Sequence, residues 1–298
     1  MPAAMAAYRV AANGTNVWVA GMPFTTPNVV VAWSVAPSGA LTEKYRYEED
    51  PTFISHYFPQ ALAPLSANTT AAIGGYFFGV LGDGAPAGDA FFGPYAGNSY
   101  GGGSATYGTC VYAVSPDDVW GASRHGRVYH YTGNAVTMKT GLLDSEDPSA
   151  IKVHGLWKNG SRLVLATLSG LLSTPAQIPQ NLVMKTTVEL PLAYAALAAS
   201  GSELALAVGP TGRVAVWHGG AWSAGTAPTT DDLTSVALAS ATNAFAGGGS
   251  TILHFDGVSW TKLTGEDGMP TADIHDVAAT SDGTLYVTSR GSLYVRRN

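Results

Sequence analysis

The sequence predicts an all-β fold, a seven-bladed β-propeller with four-stranded antiparallel blades. Three observations predict it. Short apolar segments recur along the 298 residues, and each has an aromatic or apolar residue at the same register position. In the C-terminal half these segments are about 40 residues apart, and each clear unit holds several short apolar runs separated by turn residues. No helical periodicity of useful length interrupts the series. Seven four-stranded units at this spacing are typical of a β-propeller.

One register position marks the second predicted strand of each unit. It is occupied by Trp18, Ala72, Trp120, Val164, Ala205, Phe245 and Tyr286. Because the spacing is longest between the first three, we expect insertions near residues 45–58 and 85–107. The seven units cover the chain, so we expect residues 1–298 to form a single domain.

Unit six shows the order of strands most clearly. The sequence predicts three strands within residues 233–255 and a fourth that begins at Trp260. Asp256 and Gly257 stand between the last two strands, and this dipeptide supplies the positive φ that a two-residue hairpin requires. The Asp-Gly pair is therefore predicted to be a hairpin tip.

Unit seven contains three predicted strands, at residues 274–279, 284–287 and 292–295. β-Propellers often close the ring with a strand from the opposite terminus, which removes an exposed sheet edge. Only residues 1–5 precede the first predicted inner strand. We therefore expect a weak or absent closure by the N-terminus.

Composition and charge narrow the classes of partner. Charged residues make up 12% of the chain against about 25% in an average protein, and the net charge is −6. There is no block of Lys and Arg, which disfavours a nucleic-acid groove and binding to anionic membranes. No apolar run reaches the roughly 18 residues of a membrane span, so we expect no membrane insertion. The sequence as given has no signal peptide, yet its low charge and its many Ser, Thr and Gly residues favour an extracellular or cell-surface location.

A single cysteine, Cys110, excludes an intramolecular disulfide and a thiolate zinc site. Its expected role is that of a small buried hydrophobic residue. No zinc-protease, EF-hand, Walker or nucleophile-elbow motif occurs, so no cofactor and no metal are expected.

Units three, six and seven resemble known repeat families. In unit seven an Ile-x-x-Val strand from Ile274, a Ser-Asp-Gly turn and a Leu-Tyr-Val strand from Leu285 resemble the repeat of bacterial two-component-regulator propellers. Asp118-Val-Trp and the His254-Phe-Asp-Gly run resemble the Asp-Val-Trp…Asp-Gly…Trp repeats of secreted bacterial propellers. The resemblance covers residues 110–298 and implies the fold. It does not imply a function, because propellers serve as binders, enzymes and scaffolds.

The two predicted insertions are the main candidates for a binding site, because loops added to a rigid scaffold often carry binding. They are rich in Tyr, Phe, Gly, Ser and Asn, which suits stacking on sugars or contact with a protein. Alternatively, their aromatic residues belong to divergent outer strands and pack between blades. The candidate ligand-binding residues are Tyr57, Tyr95, Asn98, Tyr100 and Tyr107.

His154 and Asp276 are the candidates for catalytic chemistry. Both align one position before a common inner-strand residue, Gly155 in one unit and Val277 in the other. If that position faces the central channel, the two side chains can meet there as a base with its orienting carboxylate, or help to hold a cation. A hydrogen-bonded structural role in the channel is the alternative. Three further histidines recur at the repeat's own position and are expected to serve the scaffold: His130, His218 and His254.

Three classes of function remain open. The first is a non-catalytic binding module that recognises a glycan or protein partner through one face of the propeller. The second is a structural or assembly subunit of a larger extracellular particle or machine. The third is an enzyme, a hydrolase or lyase, that uses residues of the central channel. Two candidate residues fall short of the convergent set that an enzyme needs, so the binding module is the favoured interpretation.

Overall fold

Seven antiparallel sheets form the blades of a β-propeller, which confirms the predicted fold class. Within the part of the chain that is described, five blades have four strands, and the second and seventh have three. Each sheet is a meander whose strands follow one another in chain order, with the first strand innermost. The computed structural model describes residues 5–23, 29–48, 59–74, 78–83, 108–123, 126–133, 136–139, 152–177, 186–263 and 268–297.

Blades 1 to 3 contain strands β1 to β11. Blade 1 contains β1 (Met5–Asn13), β2 (Asn16–Pro23), β3 (Val29–Val35) and β4 (Leu41–Glu48). Blade 2 contains β5 (Pro59–Pro64), β6 (Thr69–Gly74) and β7 (Phe78–Gly82). Blade 3 contains β8 (Gly108–Ser115), β9 (Asp118–Ser123), β10 (Val128–Tyr131) and β11 (Val136–Lys139).

Blades 4 to 7 repeat the same order. Blade 4 contains β12 (Val153–Asn159), β13 (Arg162–Thr167), β14 (Gly170–Pro175) and β15 (Thr187–Leu190). Blade 5 contains β16 (Ala196–Ser200), β17 (Leu204–Val208), β18 (Arg213–His218) and β19 (Ala221–Thr226), with one turn of 3-10 helix at Pro210–Gly212. Blade 6 contains β20 (Ser235–Ser240), β21 (Asn243–Gly248), β22 (Thr251–Phe255) and β23 (Trp260–Lys262). Blade 7 contains β24 (Ile274–Ala279), β25 (Leu285–Ser289) and β26 (Ser292–Arg296).

The seven predicted register residues all lie in second strands, which are the most deeply buried strands of their blades. Every residue of β17 and of β25 is buried. A second strand has strands of its own sheet on both sides and neighbouring blades on both faces, so an apolar run fits it better than alternation does. This burial explains why the second strand carried the clearest repeat signal in the sequence.

The Asp256–Gly257 pair lies at a hairpin tip, as predicted, but the loop between the paired residues Phe255 and Trp260 has four residues and not two. Gly257 has a φ of +97°. Asp256 Oδ1 accepts the backbone N–H groups of Val258 at 2.8 Å and Ser259 at 2.7 Å, which fixes the turn from inside. Trp260 then begins the outer strand β23.

Apolar clusters fill all seven gaps between neighbouring blades. Trp120 of blade 3 packs with Leu165 of blade 4, and Phe245 of blade 6 packs with Val287 of blade 7. The last gap is filled in the same way, because Tyr286 of blade 7 packs in one cluster with residues of blade 1. The hydrophobic core is therefore a closed ring of interfaces between blades.

Two of the three periodic histidines contact residues of the second strand in their own blades. The His130 ring stacks on Trp120 with 3.8 Å between ring centroids, and its Nε2 lies 2.9 Å from Asp118 Oδ1. In blade 6 the equivalent His254 lies 3.0 Å from Asn243 Oδ1. His218 is exposed at the end of its strand. The repeated histidine position thus serves the scaffold in blades 3 and 6.

Among the described residues the ring closes through the facing sides of blades 7 and 1. In the described residues blade 7 has no fourth strand, and β1 is the inner strand of blade 1. The two blades are joined by backbone hydrogen bonds from Ala7 N–H to the Gly291 carbonyl and from Ser281 N–H to the Gly14 carbonyl, both at 2.8 Å.

The first insertion is shorter than expected. Residues 45–48 belong to β4, which pairs with β3 as far as Glu48 opposite Val29. The pairing of β4 with β3 shifts in register between Ala32 and Trp33 and continues beyond this irregularity. Residues 49–58 lie outside the described part of the chain, as does the whole of the second insertion from 85 to 107.

The meander divides the loops between two faces. Each inner strand begins on one face, which we call the upper face; the turns between second and third strands and the connections between blades lie there too. The opposite, lower face carries the turns between first and second strands and between third and fourth strands. Tyr194 N–H, in the connection from blade 4 to blade 5, bonds to the carbonyl of Thr167 at the upper end of β13, at 2.9 Å.

Candidate functional site

Every inner strand has an irregularity at the same place, close to its upper end. The pairing of β1 with β2 shifts between Ala7 and Arg9, and β5, β8, β12 and β24 shift in the same way. In β16 and β20, two successive residues at the upper end share one partner residue. Such bulges re-aim side chains. The seven bulged residues are Tyr8, Gln60, Thr109, His154, Ala195, Thr234 and His275.

Residues at and after these bulges form a line of polar contacts across four consecutive blades. Arg9 Nε donates to the Gln60 carbonyl at 2.8 Å, and Arg9 Nη2 lies 3.4 Å from Gln60 Oε1. Ser235 Oγ donates to Asp276 Oδ1 at 2.6 Å. Asp276 Oδ2 accepts the backbone N–H of Val10 at 3.1 Å. We call Ser235, Asp276, Arg9 and Gln60 the polar arc, which joins blades 6, 7, 1 and 2.

Asp276 is the acidic centre of the polar arc. Burial raises the pKa of its carboxyl group, and the Arg9 charge with hydrogen bonds from Ser235 and the backbone opposes that shift only in part. The residue retains some accessible surface, but its carboxyl group lies between inner strands where solvation is poor. Asp276 therefore binds a proton at higher pH than an exposed aspartate does.

His154 has a different environment in blade 4. Its Nε2 is buried and has no hydrogen-bond partner among the described residues. Burial lowers the pKa of its imidazole, and the charge of Lys152 lowers it further. The ring is therefore neutral at pH 7, with one nitrogen that can still accept or donate a hydrogen bond.

His154 and Asp276 do not share a register position. His154 is a bulged residue, and its counterpart in blade 7 is the exposed His275. Asp276 follows its bulge, and its counterpart in blade 4 is Gly155. When the inner strands are aligned by their apolar residues alone, the extra residue of a bulge is overlooked. The alignment of the residues before the bulge is then wrong by one position. The two side chains belong to blades three positions apart, and the hydrogen-bond partners of Asp276 among the described residues come from blades 6, 7 and 1.

Sequence reasoning did not select three members of the polar arc, namely Arg9, Gln60 and Ser235. A signal was present in the sequence. Of the seven bulged residues all except Ala195 carry a polar atom in the side chain, although the inner strands are otherwise rich in Ala, Val and Leu. A polar residue at the same offset in several apolar strands indicates a shared structural position.

The five candidate ligand-binding residues lie outside the described part of the chain: Tyr57, Tyr95, Asn98, Tyr100 and Tyr107. The strands that follow them are described. β5 begins at Pro59 and β8 begins at Gly108, and both are inner strands that start on the upper face. The Arg9–Gln60 end of the polar arc lies at the start of β5.

A small apolar area occupies the upper face of blade 4. Leu168, in the turn between β13 and β14, is 48% exposed, and Leu192, in the connection to blade 5, is 45% exposed. Large exposed apolar side chains on one face are a feature of contact surfaces. The upper face thus has polar groups near its axis and apolar groups further out.

The described residues contain no group of three His, Cys, Asp or Glu side chains placed to hold a metal ion. Cys110 is buried, and burial raises the pKa of its thiol to about 12, so the sulfur stays protonated at neutral pH. This agrees with the expected role as a small core residue. Within the described ranges, no helix has the length and apolar character to cross a membrane.

Comparison with known proteins identifies the fold. No family model and no curated protein matches the sequence. Solved structures do match: the streptogramin B lyase structure aligns with a TM-score of 0.69 at 12% identity, over 99% of this chain and 94% of that one. YCF48 from Cyanidioschyzon merolae aligns with a TM-score of 0.65 at 10% identity, over 100% of this chain and 97% of that one.

A third structure differs in length. The extracellular domain of the putative hybrid two component system BT4673 from B. thetaiotaomicron aligns with a TM-score of 0.65 at 10% identity, and this chain spans 39% of it. These neighbours are seven-bladed propellers that include a lyase and binding or regulator domains. At such low identity the similarity shows the fold alone, and the chain is a β-propeller for which a binding role and an enzymatic role are both possible.

Proposed function

We propose that this protein is a non-catalytic binding module whose upper face holds a glycan or protein partner near blades 1 to 3. One observation carries the proposal. Residues 49–58 and 84–107, which lie where the register residues of the repeat are furthest apart, lead directly into β5 and β8. Both strands are inner strands of adjacent blades, contact each other and begin on the same face, so Pro59 and Gly108, the first residues after the two segments, lie on that face in neighbouring blades.

The composition of the two segments suits contact with a neutral partner. Tyr side chains give a large contact area with little loss of side-chain entropy, and Asn, Ser and Gly adapt to the shape and hydrogen bonds of a ligand. The Arg9–Gln60 end of the polar arc adds fixed hydrogen-bonding groups beside them. The chain has few charges and no basic block, which favours an uncharged surface as the partner.

The contacts of the polar arc favour binding over catalysis. The Asp276 carboxyl already accepts hydrogen bonds from Ser235, Val10 and Val277. Arg9 is bonded to Gln60 and to the Tyr8 carbonyl. Groups that satisfy one another hold neighbouring blades at a fixed spacing and leave little capacity for proton transfer to a substrate. A rigid ring of this kind presents loops for recognition.

The test is a binding screen with the immobilised protein against a glycan array and against candidate proteins. Tyr57→Ala, Tyr95→Ala and Tyr100→Ala are compared with Val258→Ala, which removes a 91% exposed side chain on the lower face. We expect at least one Tyr variant to bind more than about tenfold more weakly, as for an interface hot spot, and the control to bind normally. Wild-type affinity in all three Tyr variants contradicts the proposed surface.

One observation favours an enzyme as the second candidate. His154 is neutral and its Nε2 is free of partners among the described residues, which is the state of a general base. The comparison is His154→Gln against His275→Gln, the equivalent exposed bulge position. Loss of a hydrolase or lyase turnover in the first variant alone, with binding intact, supports the enzyme. An assembly subunit at the cell surface is the remaining class, and its mark is stable co-purification with a larger particle.

A further inference from the structure

Two adjoining cavities lie on the upper side of blades 5 to 7, where their walls include the connections from blade 5 to blade 6 and from blade 6 to blade 7. The first cavity has a volume of about 400 Å³ and the second a volume of about 550 Å³. Ser250 and Lys262, both of blade 6, line both cavities. The two cavities therefore form one candidate site, and its size is that of a small-molecule site.

The wall of the first cavity is mainly apolar. Ile252 and Met269 are buried and belong to the cluster between blades 6 and 7, and Leu263 packs against that cluster. Pro270 completes this wall and is half-buried. An apolar wall that is part of a packed core keeps its shape and suits an aliphatic side chain of a ligand.

The wall of the second cavity is polar, and its anionic group is Asp231. Asp231 Oδ2 accepts hydrogen bonds from Thr251 Oγ1 at 2.7 Å, from Ser250 Oγ at 2.9 Å and from the Ser250 N–H at 3.2 Å. These hydrogen bonds lower the pKa of the carboxyl group, so it is ionised at neutral pH. The other oxygen, Oδ1, accepts no hydrogen bond within the described part of the chain. One carboxylate oxygen is therefore available to a cationic group of a ligand.

Lys262 supplies the positive charge of the site. The residue is exposed, and its ammonium group forms no ion pair or hydrogen bond with the described residues. Its charge still contributes to the lowered pKa of Asp231, so the two groups lie near each other without contact. Both groups thus keep hydrogen-bonding capacity for a ligand that lies between them.

The segment that carries Asp231 is held in place by blade 5. Gly212 N–H donates to the Asp231 carbonyl at 2.8 Å, and Thr211 N–H donates to Asp232 Oδ1 at 2.9 Å. Thr211 has a φ of +56°, an unfavourable conformation for a β-branched residue. Such strain persists only where surrounding contacts fix the backbone, and it is found at ligand clamps. The position of Asp231 is therefore preorganised.

The two charged groups together select the charge of the ligand. A simple anion beside Lys262 would be repelled by Asp231, and a simple cation beside Asp231 would be repelled by Lys262. A zwitterion is attracted by both groups when its ammonium lies toward the carboxylate and its carboxylate toward the lysine. The α-carbon of an amino acid carries both charges together with a side chain, which can enter the apolar cavity.

From these contacts we propose that the site binds a free α-amino acid with an apolar side chain, such as leucine. Lys262 Nζ donates to the carboxylate of the amino acid, Asp231 Oδ1 accepts from its ammonium group, and the side chain contacts Ile252 and Met269. Neither terminus of a peptide has both charges on one α-carbon, so the site discriminates free amino acids from peptides. The site involves blades 5 to 7 and is independent of the proposed function at blades 1 to 3.

The experiment is a titration of the full chain with L-leucine, followed by calorimetry and by NMR of the methyl groups of Ile252, Leu263 and Met269. Three probes each lack one feature of leucine. Leucinamide lacks the carboxylate, 4-methylpentanoate lacks the ammonium group, and glycine lacks the apolar side chain. We expect saturable shifts of the three methyl signals with leucine and binding at least about tenfold weaker for each probe, because each loses a charge-assisted hydrogen bond or the apolar contact.

Two variants test the charged groups separately. Lys262→Met keeps an apolar stem and removes the charge, and Asp231→Asn keeps an oxygen that can accept the bonds from Ser250 and Thr251. Each variant should bind leucine at least about tenfold more weakly, with an unfolding midpoint close to that of the wild type. In Lys262→Met, leucine and leucinamide should bind equally. Lys152→Met is the matched control, because it removes an exposed lysine of blade 4 that lines neither cavity, and it should bind leucine normally.

Four results would overturn the proposal. Absence of saturable methyl shifts with leucine at millimolar concentration would exclude the amino-acid site. Equal binding of 4-methylpentanoate and leucine would show a general anion site, and equal binding of glycine and leucine would show that the apolar cavity is not used. Wild-type affinity of Lys262→Met would place leucine elsewhere on the chain. None of these results affects the binding screen with the Tyr variants, so failure of this site and failure of the proposed function are distinguishable.

Discussion

At the scale of single residues, two aspartates have opposite electrostatic environments. Burial disfavours the charge of Asp118, but hydrogen bonds from Lys158, His130 and Trp120 outweigh burial and lower its pKa. The distances from these donors to the carboxylate are 2.7, 2.9 and 2.7 Å. For Asp276 burial prevails and the pKa is raised. The first residue joins blades 3 and 4 as an anion, and the second sits among inner strands where ionisation is costly.

The Asp118 network should make stability depend on pH in acid. Its pKa in the folded protein is below the usual 3.8, so its contribution is fully present above about pH 4 and is lost as the pH falls through the folded pKa. Asp118→Asn, which copies the Asn243–His254 pair of blade 6, should cost about 1–3 kcal/mol at pH 7 and flatten this part of the pH profile. Chemical unfolding at several pH values measures the loss of stability and the change in its pH dependence. Asn243→Asp is the reciprocal control. An unchanged profile contradicts the network.

Asp276 should show the reverse dependence. Its folded pKa is above the unfolded value, so the folded state keeps a proton that the unfolded state releases, and stability rises as the pH falls through the folded pKa toward about 3.8. Asp276→Asn should remove that rise. Asp276→Ala should cost about 2–3 kcal/mol near pH 4, because it leaves the Ser235 hydroxyl and the Val10 N–H without their partner, and less at pH 7, where the wild-type carboxylate is poorly solvated. The measurement is the free energy of unfolding as a function of pH for the wild type and for the Asn and Ala variants. A rise in stability at low pH that persists in the Asn variant contradicts the role given to Asp276.

At the scale of elements, the strands were predictable and the bulges were not. The second strands were recognisable in the sequence because they are buried on both faces and are therefore apolar throughout. The Asp256–Gly257 turn was recognisable because this dipeptide favours a turn with positive φ. The bulges that form the channel add one residue with no change in the hydrophobic pattern. For this reason sequence reasoning paired His154 with Asp276 and passed over Arg9 and Ser235.

The bulge in β12 creates a close approach between blades that should tolerate only glycine. A Cβ atom at Gly155 would lie 2.6 Å from Leu197 Cβ and 2.7 Å from the Leu197 backbone nitrogen. Gly155→Ala should therefore destabilise the protein by at least about 2 kcal/mol, since backbone has to move. Gly225→Ala, whose Cβ would have only Val214 Cγ2 nearby at 3.7 Å, is the matched control and should be neutral. Equal midpoints for both variants would show that blades 4 and 5 are further apart than described.

At the scale of the whole molecule, the repeat explains the architecture. The candidate ligand-binding residues lie in the segments that depart from the repeat. Each blade forms its hydrophobic core together with the neighbouring blades. The cluster between blades 7 and 1 extends this packing around the whole ring. The number of blades follows from the repeat. The candidate binding residues cannot be derived in the same way, because they lie in segments where the period is broken and no pattern constrains them.

A closed ring should unfold as one unit. Leu285 is fully buried in blade 7, and Leu285→Ala should cost about 2–5 kcal/mol. Because the blades depend on one another, the loss should shift the unfolding midpoint equally for far-ultraviolet circular dichroism and for tryptophan fluorescence, whose tryptophans all lie in other blades. Two separated transitions in this variant would indicate independent subdomains and contradict a single domain.

We propose above that partners bind on the upper face at blades 1 to 3. The most direct test of this proposal is hydrogen-exchange mass spectrometry of the protein with and without a ligand from the binding screen. We expect protection to appear in peptides that cover the segments leading into β5 and β8 and the start of β1, with the lower-face turns at Gly160 and Gly201 unchanged. Protection confined to the lower-face turns, or to the upper face of blades 4 to 6, would contradict it.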